Sequence, residues 1–458
     1  MKPLNIKEIA NVLNVDCKCP NHVTITKVAS GYKNITDNTL IFHLNRATDI
    51  KTEIVKKHKN CYIVTDQPLL VGTNISRNRL LFVENVDAAY RRFISYYRAL
   101  FSLPVVAVTG TCGKTTTKEM IAQVLRQRFK VVATVRSKNG LRHYLKYLLQ
   151  IDDGTDYAVF ETALTHPGHI VMGCEYMKPV IGIITKIGID HLNYCLNPQL
   201  YTKTKGEIIA GLGNKGTLII NGDCENIKKI DFSVYNGKII TFGIENKADY
   251  RAGNYKYRKR GMRFTLEHNH QEYRVYVPGL GKHNIYNALA ALAALHCLGL
   301  DLNEAIANLK EYKPLRSHTE IIAGRNESIL IDDTWSSNPT SLTAALDVLN
   351  TVGRHKTKIV VIGKISYLGK HRNYYYRKIG RELAQSQLNR LFTFGKGSAK
   401  IGGYARMAGM NERNISHYDN IREMIKTIKS LLKPDTVVLF KTSMLDYDFK
   451  TIFEEIKK

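Results

Sequence analysis

Acidic residues are scarce in this 458-residue chain: 40 Asp and Glu stand against 67 Lys and Arg, giving a formal charge of +27. Such an excess would suit a nucleic-acid binder. Here, however, the cations are spread along the chain and not gathered into a tail, and no helix-turn-helix or RNA-binding aromatic motif accompanies them, so no nucleic-acid partner is expected. Also missing are an apolar run of membrane-spanning length and, in the stretch from Met1 to Glu8, the apolar core of a signal peptide. A soluble cytoplasmic protein is the expectation. The eight cysteines are scattered, and the one close pair, Cys17 and Cys19, has no second pair or histidines at metal-ligand spacing. Reduced thiols are expected, not a zinc site. There is no internal repeat and no low-complexity linker, and 44% apolar content rules out disorder.

What is present alternates between strand and helix. After a helical start at Ile6 to Leu13, short β-rich runs (Val23–Thr26, Thr39–Phe42, Cys61–Val64, Arg79–Val83) alternate with polar turns, which predicts a small α/β domain over residues 1–85. A helical pattern from Val86 to Phe101 leads through Pro104 into Val105–Thr109, an apolar run suited to a buried parallel strand. With Tyr157–Phe160, Val180–Ile184 and Gly216–Ile220 this predicts a central doubly wound sheet in a domain over 86–312, including an Ala/Leu-rich helix from Ala288 to Leu298. A new alternation begins near Lys313 with strands at Ile329–Ile331, Lys358–Ile362, Arg390–Phe394 and Thr436–Phe440, predicting a smaller Rossmann-like α/β domain over 313–458. The expected fold class is therefore α/β in three domains.

The strongest local signal is Val105-Val-Ala-Val-Thr109-Gly110-Thr111-Cys112-Gly113-Lys114-Thr115-Thr116-Thr117, a strand, a glycine turn and a helix start. In this arrangement backbone N–H groups and the helix dipole face nucleotide phosphates, Lys114 neutralises charge near the β and γ positions, and Thr115 can ligate Mg²⁺. A strict P-loop has a glycine where this chain has Val108, so the match is to a shorter variant.

That variant, Gly-Thr-x-Gly-Lys-Thr-Thr, resembles the one in Mur ligases and folylpolyglutamate synthetases, and further segments follow in the family's order. Glu161 closes the next buried strand, where the family places a glutamate that holds Mg²⁺. Thr185-Lys186-Ile-Gly-Ile-Asp190-His191-Leu192 resembles the family's Thr-Asn-Ile-x-x-x-His-Leu segment, whose histidine also serves the metal site. Lys205 falls at the spacing of a carbamylated lysine. The segment from Pro278 through His283, Asn284 and Asn287 resembles the one that packs against adenine, and Arg316 matches an arginine near the start of the third domain. Ile331-Asp332-Asp333 through Asn338-Pro339 resembles the Asp-Asp segment of the MurF type.

The resemblance implies an ATP-dependent ligase that activates a carboxylate as an acyl phosphate and joins it to an amine, releasing ADP and phosphate. The implied catalytic set is Lys114, Glu161, His191 and Lys205. The implied nucleotide site is Gly110 to Thr116 with Asn284, Asn287, Arg316 and Asp333. Two Mg²⁺ ions are expected at Thr115, Glu161, His191 and Lys205, the last carrying CO₂ as a carbamate. The expected partners are an acidic carboxylate substrate and an amino acid or dipeptide amine, and the expected state is a monomer.

Some positions depart from the family pattern. The usual Asp-Ser-Arg motif of the first domain reads Lys27-Val-Ala-Ser-Gly-Tyr-Lys33, Lys186 replaces an asparagine, and a usually acidic third-domain loop reads Gly363-Lys-Ile-Ser-Tyr-Leu-Gly-Lys370. The acceptor could thus be a UDP-muramoyl tripeptide or another acidic carboxylate, and a nucleotide-binding protein without ligase activity is the competing class. The stretch Val348 to Arg381 has no Asp or Glu, and is either a solvated basic face or a site for an acidic substrate.

Overall fold

The computed structural model describes residues 1–67, 77–162, 166–443 and 449–457. The chain falls into two compact units, one of residues 1–105, 129–158 and 175–178, the other of 106–128, 159–174 and 179–458. Among the described residues no helix is long and apolar enough to cross a membrane.

The first unit opens with β1 (Leu4–Asn5), paired with β2 (Thr24–Ile25), and a helix over Ile6–Leu13. The Asn5 side chain accepts from the Lys7 N–H to start that helix, and Asn14 ends it in a left-handed conformation. A parallel sheet follows in the order β3 (Lys27–Ala29), β4 (Thr39–Phe42), β5 (Tyr62–Thr65) and β6 (Leu80–Phe82). Its core is Ile35, Ile41, Val55, Cys61, Ile63 and Leu80. Cys17 and Cys19 are joined as a disulfide, against the expectation of reduced thiols; with Cα atoms 5.1 Å apart they are within disulfide reach. Cys61, Cys112, Cys195, Cys224 and Cys297 are thiols.

The second unit holds most of the central sheet; the short strand β8 (Val131–Ala133) belongs to the first unit. The parallel part comprises β7 (Val105–Thr109), β9 (Tyr157–Glu161), β10 (Ile181–Ile184), β11 (Thr217–Asn221) and β12 (Lys238–Gly243), with β7 beside both β9 and β10. Val105 to Val108 are almost wholly buried, as a strand covered on both faces requires. The sheet continues through β13 (Tyr250–Arg258), β14 (Gly261–His268) and β15 (Gln271–Pro278), which turn it antiparallel at one edge. Their burial alternates: Met262, Phe264 and Leu266 are buried, and Arg263, Thr265 and Glu267 are more exposed.

The C-terminal sheet has the order β16 (Glu320–Ala323), β17 (Ile329–Asp333), β21 (Thr436–Lys441), β18 (Thr357–Ile362), β19 (Arg390–Phe394) and β20 (Ile415–Tyr418). Only β16 runs antiparallel to its neighbour. Leu330, Ile359, Val361, Phe392, Val438 and Phe440 form its core with the helices Ile421–Leu431 and Phe449–Ile456.

Strand β18, about 20 Å long at 3.3 Å per residue, lies within the basic stretch of the sequence, and the helix Arg372–Gln385 follows it. Before the strand, Lys356 donates to the Pro434 carbonyl, and Lys358 donates to the Asn350 side chain and the Ser386 carbonyl. Lys364, Lys370 and Arg372 follow the strand in sequence.

Candidate active site

The phosphate loop leaves β7 at Thr109 and enters the helix Lys114–Leu125 at Gly113. Two glycines in it have no substitute. Gly110 sits at φ +143°, where a Cβ would meet Thr185 Oγ1 at 2.1 Å; Gly113 sits at φ +86°, with Asn287 Oδ1 at 2.3 Å from the same imagined atom. The loop is pinned to the segment after β10. Thr111 N–H donates to the Lys186 carbonyl (2.6 Å), Thr185 Oγ1 donates to the Cys112 carbonyl (2.6 Å), and Gly188 N–H donates to Thr111 Oγ1 (2.8 Å). Thr111 Oγ1 also lies 3.0 Å from the buried Tyr201 hydroxyl.

Glu161, at the end of β9, is 1% exposed. Thr115 Oγ1 donates to its Oε2 at 2.7 Å, and Lys114 Nζ lies 3.9 Å from its Oε1. Lys114 also donates to the Thr111 carbonyl at 3.1 Å, folding its ammonium back over the loop. Two hard oxygen donors and a cation therefore meet at the helix N-terminus, where the dipole favours anions.

Lys205 lies on the helix Pro198–Gly206, which starts at Asn197, whose side chain accepts from the Leu200 N–H, with proline in the first turn. One helical turn separates Tyr201 from Lys205, and the Lys205 ammonium stands 5.3 Å over the Tyr201 ring. Only 1% of Lys205 is exposed. Burial, then the positive charge of Lys114, bring its pKa down to about 7, while Asp190 and Glu161 act in the opposite direction.

His191 adopts φ +50° just before the helix Leu192–Cys195. Its Nδ1 is buried without a hydrogen bond, and its pKa is lowered by burial and, further, by Lys205 and Lys114. Asn284 and Asn287 sit at the start of the helix Lys282–Cys297, both nearly buried. Asn284 donates to the Leu280 carbonyl at 2.9 Å, and Asn287 Oδ1 lies 3.4 Å from Thr117 Oγ1.

The third domain closes the arrangement at the start of the helix Pro339–Val352. Asn338 caps this helix through the Ser341 N–H and donates to Asp190 Oδ2 (3.3 Å), while Cys112 Sγ lies 3.6 Å from its Oδ1. Thr340 Oγ1 accepts from the Ile189 N–H at 3.0 Å, and a Cβ on Gly188 would meet it at 1.9 Å. Asp333, at the end of β17, is bridged by Lys441 at 2.7 Å, and this lysine is wholly buried. Arg316 is exposed and is not drawn in with the others. Asp332 turns inward, accepting from Ser317 and Thr334, and burial raises its pKa.

The structure thus gathers Gly110 to Thr116, Glu161, His191, Lys205, Asn284 and Asn287 around one loop, and adds Asp190 and Asn338, which the sequence offered only as members of longer segments, and Tyr201 and Lys441, which it did not single out. Asn338 carried a visible signal as an Asn-Pro helix start. Lys441 carried none: a lysine at a strand end is ordinarily exposed.

A phosphate loop with a buried carboxylate and lysine behind it, packed against a second α/β sheet, is the arrangement of an ATP-using enzyme. Residues 108–295 match the Mur ligase middle domain, and residues 319–444 match the Mur ligase glutamate ligase domain. The chain belongs to the Mur ligase family, and it is an ATP-dependent, amide-bond-forming ligase of the MurF type. The UDP-N-acetylmuramoyl-tripeptide–D-alanyl-D-alanine ligase of Buchnera aphidicola from Acyrthosiphon pisum is 29% identical over 382 residues, 82% of each chain. Its counterpart from the Baizongia pistaciae symbiont is 26% identical across the full length of both chains. Among solved structures, MurF from Acinetobacter baumannii superposes with a TM-score of 0.84 at 22% identity over 99% of each chain. MurF from Thermotoga maritima, solved with ADP, gives 0.80 at 19% identity over 94% of this chain and 97% of that one. These likenesses support the three-domain fold expected from the sequence and set aside the non-catalytic alternative.

Proposed function

We propose that this enzyme joins the terminal carboxylate of a UDP-muramoyl tripeptide to the amine of D-alanyl-D-alanine in peptidoglycan synthesis, the reaction for which its curated relatives are named. The observation that carries the catalytic reading is the burial of Lys205 beside Lys114, with a pKa near 7.

A carboxylate is a poor electrophile, so its oxygen must first become a leaving group, which phosphoryl transfer from ATP accomplishes by forming an acyl phosphate. The protein's share is positioning and charge neutralisation. Lys114 and the N–H groups of Gly110 to Thr116 hold the phosphates, and Asn284 and Asn287 flank the adenine side. Asp333, its carboxylate fixed by Lys441, completes the nucleotide site from the third domain, and Arg316, exposed here, is a further nucleotide contact implied by the family resemblance alone. The amine substrate must lose a proton before it attacks, and the resulting tetrahedral species collapses with loss of phosphate.

The residues fit the expected ions. Thr115 and Glu161 present a hydroxyl and a carboxylate side by side, and His191 Nδ1 is left without a partner. A lysine with a pKa near 7 is largely neutral at slightly alkaline pH, the form that adds CO₂, so Lys205 fits a carbamate. When bound, two Mg²⁺ ions, one of them held by that carbamate, would spread the negative charge shared by the γ-phosphate and the acceptor carboxylate. Residues 1–85, 86–312 and 313–458 would serve the acceptor, ATP and amine substrates respectively. The enzyme is expected to act as a monomer in the cytoplasm.

An ADP-release assay tests this reading: UDP-muramoyl tripeptide, polyglutamates and other carboxylates are each crossed with amino acids and dipeptides. Turnover should require the muramoyl tripeptide and D-alanyl-D-alanine together. Preference for another carboxylate would assign the Lys27–Lys33 departure to a different acceptor.

A further inference from the structure

The third-domain loop from Ser366 to His371 clasps the short central-domain helix Leu192–Cys195 at several points. The Tyr367 carbonyl accepts from the Leu192 N–H at 2.8 Å, and His371 Nε2 lies 2.9 Å from the Leu196 carbonyl. Gly369, at φ +52°, passes so close that a Cβ would stand 3.1 Å from the Leu192 carbonyl oxygen. Between these points the Tyr367 ring stacks on the His191 imidazole, with centroids 4.9 Å apart and planes 25° apart.

The backbone on both sides of this contact is held in left-handed conformations that side chains with a Cβ rarely adopt: His191 at φ +50°, Leu196 at +59° and Tyr367 at +60°. Such conformations persist where surrounding contacts over-determine them, and they cluster at working sites. The His191 imidazole has no hydrogen bond at Nδ1 to fix its plane. What faces it is the Tyr367 ring, with Tyr194 farther off at 6.1 Å. Tyr367 itself is 38% exposed, so its ring is not needed to fill a core.

We propose that Tyr367 is a positioning residue that orients His191 through ring stacking, so that the imidazole is aligned only when the third domain is docked on the central one. This rests on the placement of His191 at the ATP and metal site. The stacking face, and not the hydroxyl, carries the effect, and the Gly369 approach sets the ring's height over the imidazole.

The test is a double-mutant cycle on the full-length enzyme, with kcat and the KM for ATP measured separately and ADP binding used to verify folding. Tyr367→Ala should lower kcat about tenfold with the KM for ATP changed less than about twofold, and Tyr367→Phe should restore most of the loss. Gly369→Ala should mimic Tyr367→Ala without touching either ring. In a His191→Ala background, Tyr367→Ala should cause no further loss. Full kcat in Tyr367→Ala, equal damage from Ala and Phe, or an additive loss in the His191→Ala background overturns the proposal while leaving the ligase reading intact. Unchanged kcat in His191→Ala alone removes the role of His191, and the proposal with it.

Discussion

Replacing Lys205 by methionine should abolish ligation yet make the ligand-free protein more stable. The side chain is 1% exposed, and its pKa falls from 10.5 to about 7, chiefly through burial. At about 1.4 kcal/mol per tenfold change in proton affinity, that fall corresponds to roughly 5 kcal/mol held against the folded state below pH 7. Relaxation and water entry reduce the figure, so a gain of about 2 kcal/mol or more is expected for Lys205→Met at pH 6.5. Because the folded pKa lies below the unfolded one, the unfolded chain binds more protons between pH 7 and 10.5, and wild-type stability climbs with pH across that window. The advantage of the methionine variant should therefore shrink by about 1.4 kcal/mol per pH unit as pH rises above 7. Chemical denaturation of both proteins from pH 6.5 to 9.5, in CO₂-free buffer so that no carbamate forms, measures the difference directly. Parallel stability profiles, or a variant less stable than wild type at pH 6.5, would refute the idea that this lysine is kept near neutrality by its surroundings.

Other substitutions probe the rest of the site. Gly113→Ala places a Cβ 2.3 Å from Asn287 Oδ1 at φ +86°, so it should destabilise by more than about 1 kcal/mol and weaken ADP binding at least tenfold by calorimetry. Lys441→Met leaves the Asp333 carboxylate without its buried partner and should cost about 3 kcal/mol in denaturant unfolding, with the Asp333→Asn, Lys441→Met double variant recovering part of it. Asn338→Ala removes the cap of the helix Pro339–Val352 and the link to Asp190; a loss of about 1 kcal/mol is expected in thermal unfolding, with a larger effect on kcat than on ADP affinity.

Much of this architecture was legible in the sequence because the signals were local. The helix Ile6–Leu13 and the strand Val105–Thr109 have the bounds that their apolar periods implied, and the glycine turn at Gly110 and Gly113 announced its own backbone geometry. The phosphate-loop helix begins at Lys114, directly after the turn at Gly113 and well before its first apolar residue, Met120, because the turn sets its start. The antiparallel strands from Tyr250 to Pro278 lie outside the strands expected from the sequence, although Met262, Phe264 and Leu266 alternate there with polar or small residues. Other features depend on contacts across more than a hundred residues. Nothing near Lys441 in the sequence marks it as the partner of Asp333, and nothing near Tyr367 announces that its ring will lie on His191.

The central claim is activation of a carboxylate by phosphoryl transfer, and oxygen tracing tests it most directly. UDP-muramoyl tripeptide labelled with ¹⁸O in its terminal carboxylate is turned over with ATP and D-alanyl-D-alanine, and the released phosphate is analysed by mass spectrometry. An acyl phosphate route transfers one labelled oxygen from the carboxylate to each phosphate formed. Unlabelled phosphate released together with amide product would contradict the account.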